Sequence, residues 1–326
     1  MKPKFKLFGT KDYFNLLKNN LLKVKKLFLV QALYFEIEGG SNEVISDIRK
    51  HLTSHQNKNK TPMKVLVVDD FSLSPLTTKP ASRQTLTHLL KRQVALVINR
   101  MPWWQKITMP YIKRNHIKIL LLDNTACFGG INLSSKETKY CDLMICSKNK
   151  KVKAFLRKIT HQSITQNLKG KLYKLDSQNH FIIDHKKRQL SYACVNFMIK
   201  KASKSISFVS QFPPDPKMSW QLKNATKKKV KVTVITPKKN SFNLAFYLIH
   251  KLNTIYLKLA AKELKLIQTP FMVHAKLIMV DDKLVLVGSA NMHYLSKVAQ
   301  TSNLMLLSQE GSLVKQVSGF IKKLTK

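Results

Sequence analysis

Within residues 14–26, apolar side chains recur at Leu17, Leu21 and Val24, and the chain then turns almost continuously apolar over residues 27–36. That change of period predicts a helix running into a buried strand. The same passage returns later. Residues 192–202 place Val195, Met198, Ile199 and Ala202 on one helical face, and a strand follows over 206–212. Each half then repeats a helix before an apolar strand, at 64–68 and 230–235, and a further short strand at 94–99 and 264–268. Helices alternating with apolar strands predict an α/β layered domain, present twice. The polar stretch from about 162 to 188 reads as the connection. The expected division is 1–165, a linker over 166–188, and 189–326.

A polar pattern interrupts matching strands in both halves. The first copy runs Arg114-Asn115-His116-Ile117-Lys118, then Asp123, then Gly129-Gly130-Ile131-Asn132. The second runs Val273-His274-Ala275-Lys276, then Asp281, then Gly288-Ser289-Ala290-Asn291. Both are H-x-K-x4-D followed by G-[GS]-x-N, with the histidines 158 positions apart. One copy is a weak signal; two with the same trailing motif are specific. In an extended strand residues i and i+2 share a face, so His116 emerges with Lys118 and His274 with Lys276. The glycines allow close backbone approach, and Asn132 and Asn291 supply amide donors. Packed about a pseudo-twofold axis, the halves would combine a nucleophile, an acid and a cationic clamp for a tetrahedral phosphoryl group.

Composition narrows the partners. Against 17 acidic residues stand 58 basic ones, a formal charge of +41, and 44% of the 326 residues are hydrophobic. A chain so apolar builds a core and is not wholly disordered. The positive field favours an anionic lipid surface or nucleic acid, although a compositional bias of the lineage gives the same balance. Seven of the 58 are arginine; lysine is a point charge, which suits a surface blind to base sequence. The longest apolar run, over 27–35, contains Gln31 and is too short to cross a bilayer. The Lys-rich start ends in no small-residue cleavage site, so a signal peptide is not expected. Cys127, Cys141, Cys146 and Cys194 form no CxxC pair; they read as reduced thiols of a cytosolic protein, with no zinc site. Trp103 and Trp104, read as strand residues, point to opposite faces, and at least one suits a membrane interface. The lysines of the opening segment, from Lys18 to Lys26, fit a core-packed first helix better than a membrane anchor.

The paired motif resembles the HKD signature of the phospholipase D superfamily, and within it the cardiolipin synthase-type phosphatidyltransferases. The softer flanking likeness lies in Tyr34-Phe35-Glu36, Arg114-Asn115-His116 and Phe212-Pro213-Pro214-Asp215. The resemblance implies two α/β/α sandwich domains related by a pseudo-twofold, with mixed sheets and the site at their interface. It also implies two-step transfer at a phosphodiester with neither metal nor cofactor: His116 as nucleophile, His274 as acid and base. Lys118, Lys276, Asn132, Asn291, Ser289 and Gly130 would hold the phosphate oxygens. Asp123 and Asp281 complete the motif in a supporting role.

Two departures stand out. Five residues separate Asp123 from Gly129 but six separate Asp281 from Gly288, so the turns must differ. Family members also place an acidic residue past each motif to orient the histidine. Asp142 fits in the first half, while the second reads Gln300-Thr301-Ser302-Asn303, which predicts a weaker His274. The implied function is phosphatidyl transfer from phosphatidylglycerol or a related donor to a lipid hydroxyl, peripheral on the inner face of the cell membrane. The alternatives are a phospholipase D-type hydrolase, a nuclease, or an inactive basic relative binding lipid or nucleic acid.

Overall fold

In the computed structural model the described residues are 4–21, 23–36, 43–53, 63–108, 111–238 and 244–325. The first half contains β1 (Lys6–Gly9), α1 (Thr10–Leu21), β2 (Leu27–Ala32), β3 (Phe35–Glu36), α2 (Glu43–Thr53), β4 (Met63–Asp69), α3 (Pro80–Lys91) and β5 (Ala95–Ile98). It continues with α4 (Trp103–Thr108), β6 (Lys118–Leu121), β7 (Ala126–Gly129), β8 (Leu133–Ser134), β9 (Leu143–Ser147) and α5 (Lys150–Ile164). The second half opens with β10 (Lys171–Lys174), β11 (Asn179–Asp184), α6 (Leu190–Lys201), β12 (Ser205–Val209), α7 (Pro216–Lys227), β13 (Lys231–Pro237) and α8 (Leu244–Ala260). It closes with β14 (Lys265–Thr269), β15 (Leu277–Val280), β16 (Leu284–Gly288), α9 (Tyr294–Val298), β17 (Asn303–Ser308) and α10 (Gly311–Leu324).

Two mixed sheets result. One has seven strands in the order β1-β9-β7-β6-β2-β4-β5, the other eight in the order β10-β11-β17-β16-β15-β12-β13-β14. In each, a parallel trio (β2, β4, β5 and β12, β13, β14) joins an antiparallel hairpin carrying the polar motif. The stretch over 166–188, read as a linker, contributes β10 and β11 to the second sheet. Its alternating polar positions suit an edge with one solvated face.

The motif strands are apolar throughout because both their faces are covered. Ile119 and Leu121 point into a core shared with Leu277, Met279, Leu304, α5 and α10, whereas Leu120 and Leu122 meet the layer under α1 to α3. In the second half Ile278 and Val280 likewise meet the layer under α6 to α8. One continuous core therefore joins the sheets, and the motif strands contribute to it.

Two sequence-based expectations change here. Trp103 and Trp104 belong to a short helix, not a strand, and both are exposed, Trp103 by 75%. Cys127 and Cys146 are not free thiols: they are direct partners across β7 and β9, with Cα atoms 4.0 Å apart, and form a disulfide. A separation of 19 residues gave no hint of this; sheet register brings the pair together. The argument from cysteine usage to a reducing compartment falls with it.

Candidate active site

Each motif histidine is fixed by backbone from the other half. His116 donates its N–H to Ser302 O (2.8 Å), and Ser302 donates to Arg114 O (2.8 Å). Across the seam, His274 and Ala275 donate to Cys141 O (2.8 and 3.1 Å), while Cys141 donates to Met272 O (2.8 Å). The lead-in to His116 is also held from the side: the buried Asp69 carboxylate accepts from Arg114 Nη1 (3.1 Å), Asn115 N (2.7 Å) and Asn99 Nδ2 (3.0 Å). This clamp was not foreseen from the sequence.

Both hairpins keep the same register despite the unequal spacing. Lys118 pairs with Gly129, and Gly288 donates to Lys276 O (3.3 Å). The first closes on Asp123-Asn124, with Leu122 donating to Thr125 O. The second takes its extra residue through Asp281 and Asp282, both at positive φ (53° and 51°). The difference is absorbed at the far end and does not reach the lysines. A Cβ on Gly129 or Gly288 would lie 2.3 Å from the carbonyl oxygen of Leu143 or Leu304, so both positions need glycine for close approach.

The carboxylates break the symmetry. Asp142, expected beside the first motif's histidine, reaches across the seam: its Oδ2 accepts from His274 Nδ1 at 2.6 Å, and its Oδ1 accepts from Leu143 N at 2.7 Å. Thr10 Oγ1 accepts from Asp142 N (3.1 Å) and donates to Tyr140 O (2.6 Å), so the start of α1 holds this segment. Glu137, which sequence reasoning missed, lies 3.6 Å from His274 Nδ1 and accepts from Asn132 Nδ2 (2.8 Å). His274 is therefore the well-supported histidine. Ser302 stands where His116 would look for a carboxylate, but its hydroxyl meets His185 Nδ1 (2.8 Å). Among the described residues, the His116 ring makes no side-chain hydrogen bond.

Electrostatics follow from this. Burial holds His116 well below the ordinary histidine range, and Lys118, Lys276 and His274 add to it. For His274, burial and Lys276 press downward, but Glu137 and Asp142 outweigh them and the net shift is upward. Burial and Lys276 bring Lys118 down to about 7. Lys276 is also lowered by burial, against the pull of Asp142 at 3.5 Å. Burial would raise Glu137, yet His274, Asn132 and Lys276 bring it down to about 2. Lys118 and Lys276 donate to the carbonyls of their own histidines, His116 O (2.9 Å) and His274 O. At neutral pH one imidazole is neutral and the other tends to imidazolium, beside two buried amines.

The remaining predicted residues divide. Asp123 and Asp281 sit at the outer ends of their strands. Asp123 accepts from Lys25, Lys26 and Leu27 N (2.7–2.9 Å), and Asp281 from Ser203, Lys204 and Ser205 N. Five extended residue steps separate each from its lysine, roughly 16 Å. Asn132 reaches the site through Glu137, which lies beside His274; Asn132 and Asn291 each keep a buried Oδ1 with no hydrogen-bond partner among the described residues. The Ser289 hydroxyl accepts from Leu304 N (3.0 Å), and Gly130 N donates to Leu143 O (2.9 Å). These two groups are bound within the sheet. Gly130 matters instead for its missing side chain. A Cβ there would fall 2.3 Å from Asp142 Oδ1, so glycine makes room for the carboxylate that holds His274. Glu137, Asp142 and His274 also lie within ligand spacing of one another, but Nδ1 is engaged with Asp142, and Lys276 Nζ lies 3.5 Å from the same oxygen.

Residues 196–325 match the family described as cardiolipin synthase, PLD-like domain. A search of the curated proteins finds no match. Among solved structures, phosphatidylserine synthase of Haemophilus influenzae Rd KW20 is similar in fold, with a TM-score of 0.72 at 11% identity over 99% of this chain and 85% of that one. Polyphosphate kinase of Porphyromonas gingivalis is similar over 99% of this chain and 50% of its own, with a TM-score of 0.63 at 11% identity.

Proposed function

We infer that this chain is a phosphatidyltransferase of the cardiolipin synthase type within the phospholipase D superfamily, a reading supported by the family match over residues 196–325. The observation that carries the chemistry is the unequal pair of histidines. Neutral His116 attacks phosphorus of the donor lipid through a ring nitrogen, forming a P–N bond as the P–O bond to the leaving alcohol breaks. His274, protonated and braced by Asp142, gives that alcohol its proton. Lys118 and Lys276 meet the charge that builds on the non-bridging oxygens. The neutral His274 then takes the proton of an acceptor hydroxyl, whose oxygen attacks phosphorus, breaks the P–N bond and releases His116.

A lipid substrate is supported by the surface. Helix α8 is amphipathic in the inverted sense. Leu244, Leu248, Leu252, Ile255 and Leu259 form an exposed stripe, with Leu252 64% and Leu259 69% accessible. Its buried side carries His250, Asn253 and Thr254, and Asn253 Nδ2 meets His293 Nε2 at 2.7 Å. A stripe of this length on a protein of charge +41 suits an anionic bilayer, which takes up apolar side chains and attracts lysine. No helix among the described residues is long and apolar enough to cross a membrane. α8 would lie along the surface. Phe246 of the same helix also meets the Tyr111 ring of the first half at 5.1 Å.

The test incubates wild type and His116→Ala with phosphatidylglycerol vesicles in chelator and identifies products by mass spectrometry. Cardiolipin with free glycerol, lost in the variant, is the expected result. Phosphatidic acid alone would mean hydrolysis. No lipid product, with cleavage of single-stranded DNA instead, would replace the reading by a nuclease.

A further inference from the structure

A second cationic site lies on the seam, outside the paired motifs. Lys113, the segment 166–170, the tight turn at 185–188 and Gln300 line a groove of about 830 Å³. Five of its eleven lining residues are cations (Lys113, Lys169, Lys186, Lys187 and Arg188), and no carboxylate is among them. Among the described residues, none of the five is in an ion pair. Like charges gathered without a counterion repel one another, so the groove is an unneutralised well for an anion.

Three further observations point to an occupant. His185 has Nδ1 on the Ser302 hydroxyl at 2.8 Å, but its buried Nε2 has no partner among the described residues. When Ser302 donates to Nδ1, Nε2 carries a hydrogen that needs an acceptor. Four lining residues, Lys113 (φ 55°), Gln166 (φ 57°), Lys186 (φ 50°) and Gln300 (φ 52°), hold a left-handed backbone that non-glycine residues adopt at a cost. Gly170 lets the walls close, since a Cβ there would meet Arg188 Cβ at 2.9 Å. The groove is also wired to the reaction: Lys113 donates to Ala299 O, and three residues on His116 donates to Ser302 O.

We propose that this groove binds the phosphodiester of a second phospholipid headgroup, the acceptor of phosphatidyl transfer. The acceptor role rests on the transferase reading above. Transfer between two anionic lipids needs two phosphate subsites. The paired motifs hold the phosphorus under attack, and the groove holds the one that does not react.

The experiment compares Lys186→Gln/Lys187→Gln/Arg188→Gln with a control of equal charge loss, Lys227→Gln/Lys228→Gln/Lys229→Gln. The soluble headgroup glycerophosphoglycerol is titrated calorimetrically into each, in the His116→Ala background. Two sites per chain are expected in the parent and control, and one in the groove variant. With His116 restored, the groove variant should give at least about tenfold less cardiolipin relative to phosphatidic acid, the loss of one charge-assisted contact set. Unchanged stoichiometry in the groove variant overturns the proposal, as does equal loss in the control, which would mean diffuse charge. Inorganic phosphate displacing the second headgroup at equal concentration would make this a free-phosphate site and overturn the lipid assignment. A wild type inert toward lipid, with the second site still lost in the groove variant, would overturn the transferase reading and the acceptor role while the phosphodiester site stood.

Discussion

Asp142 Oδ2 accepts a 2.6 Å hydrogen bond from Nδ1 of His274, a residue 132 positions away in the other half of the chain. In the proposed mechanism this contact makes His274 the acid. A carboxylate on Nδ1 fixes the tautomer and favours the imidazolium, leaving Nε2 to deliver the proton. His116 has cations around it and, among the described residues, no such partner, which makes it the neutral nucleophile of the proposed mechanism.

Asp142→Asn should therefore act through His274 and its pH dependence. The rate against pH should have an alkaline limb where His274 loses its proton, above the ordinary histidine value, and an acidic limb well below that value where His116 gains one. Removing the carboxylate withdraws support from the imidazolium, so the alkaline limb moves to lower pH and the acidic limb moves little. A fall in kcat/KM of roughly 10²- to 10³-fold at neutral pH is expected. A uniform loss with an unshifted alkaline limb would show that Asp142 is only a structural brace.

Gly130→Ala offers an independent route to the same defect. The new methyl would lie 2.3 Å from Asp142 Oδ1, so the carboxylate must move or the hairpin must shift. The fold should lose about 1–3 kcal/mol by overpacking. The surviving folded protein should show the same alkaline shift as Asp142→Asn. A normal pH profile in folded Gly130→Ala would separate this glycine from the acid.

Lys118, brought down to about 7 by burial and Lys276, is partly neutral at neutral pH. A bound oxyanion stabilises its ammonium and raises that value, so binding at pH 8 should take up a proton. Tungstate titrated calorimetrically in buffers of different ionisation enthalpy would read this as a buffer-dependent heat. Lys118→Met should abolish most of the dependence.

The sequence made the histidines, lysines and alternating elements legible because each is a local pattern: a spacing of two on a strand, a change of period at a helix end. What it assigned wrongly is what symmetry crosses. Asp142 lies closer in sequence to His116 but serves His274, since the sheets meet through the Asn115–Ser302 and Cys141–Val273 bridges. Glu137 has no counterpart in the repeated pattern, and the Cys127–Cys146 pair follows from register alone. The unequal motif spacing looked consequential, yet the turn at Asp281-Asp282 absorbs it far from the chemistry.

Asp281 should behave as a structural residue. Its carboxylate caps the start of β12 through Ser203, Lys204 and Ser205 N–H groups, which outweigh partial burial and bring it down to about 2. A depressed carboxylate contributes stability above its unfolded value of about 3.9, and that contribution is lost as pH falls toward 2. Asp281→Asn should cost on the order of 1 kcal/mol at pH 7 and progressively less in acid. Its kcat per folded molecule should match wild type, with stability followed by urea denaturation. A large loss of kcat at full folding would return Asp281 to the reaction.

The inverted amphipathicity of α8 makes a prediction that depends on membrane charge as well as apolarity. If the exposed stripe enters the lipid interface, Leu252→Glu/Leu259→Glu should leave the fold intact, since both side chains face solvent, and should weaken sedimentation with phosphatidylglycerol vesicles. Removing two buried leucines from the interface at about 1.5–3 kcal/mol each gives at least a tenfold loss in partitioning. Phosphatidylcholine vesicles should bind wild type far less, because their zwitterionic headgroups carry no net negative charge for the lysine surface to meet. Activity toward a soluble, short-chain phosphodiester should survive in the variant, because the substitutions lie outside the paired motifs. Loss of both activities together would mean that α8 supports the site through Asn253 and His293 and does not dock it; undiminished vesicle binding would remove the stripe from the membrane altogether.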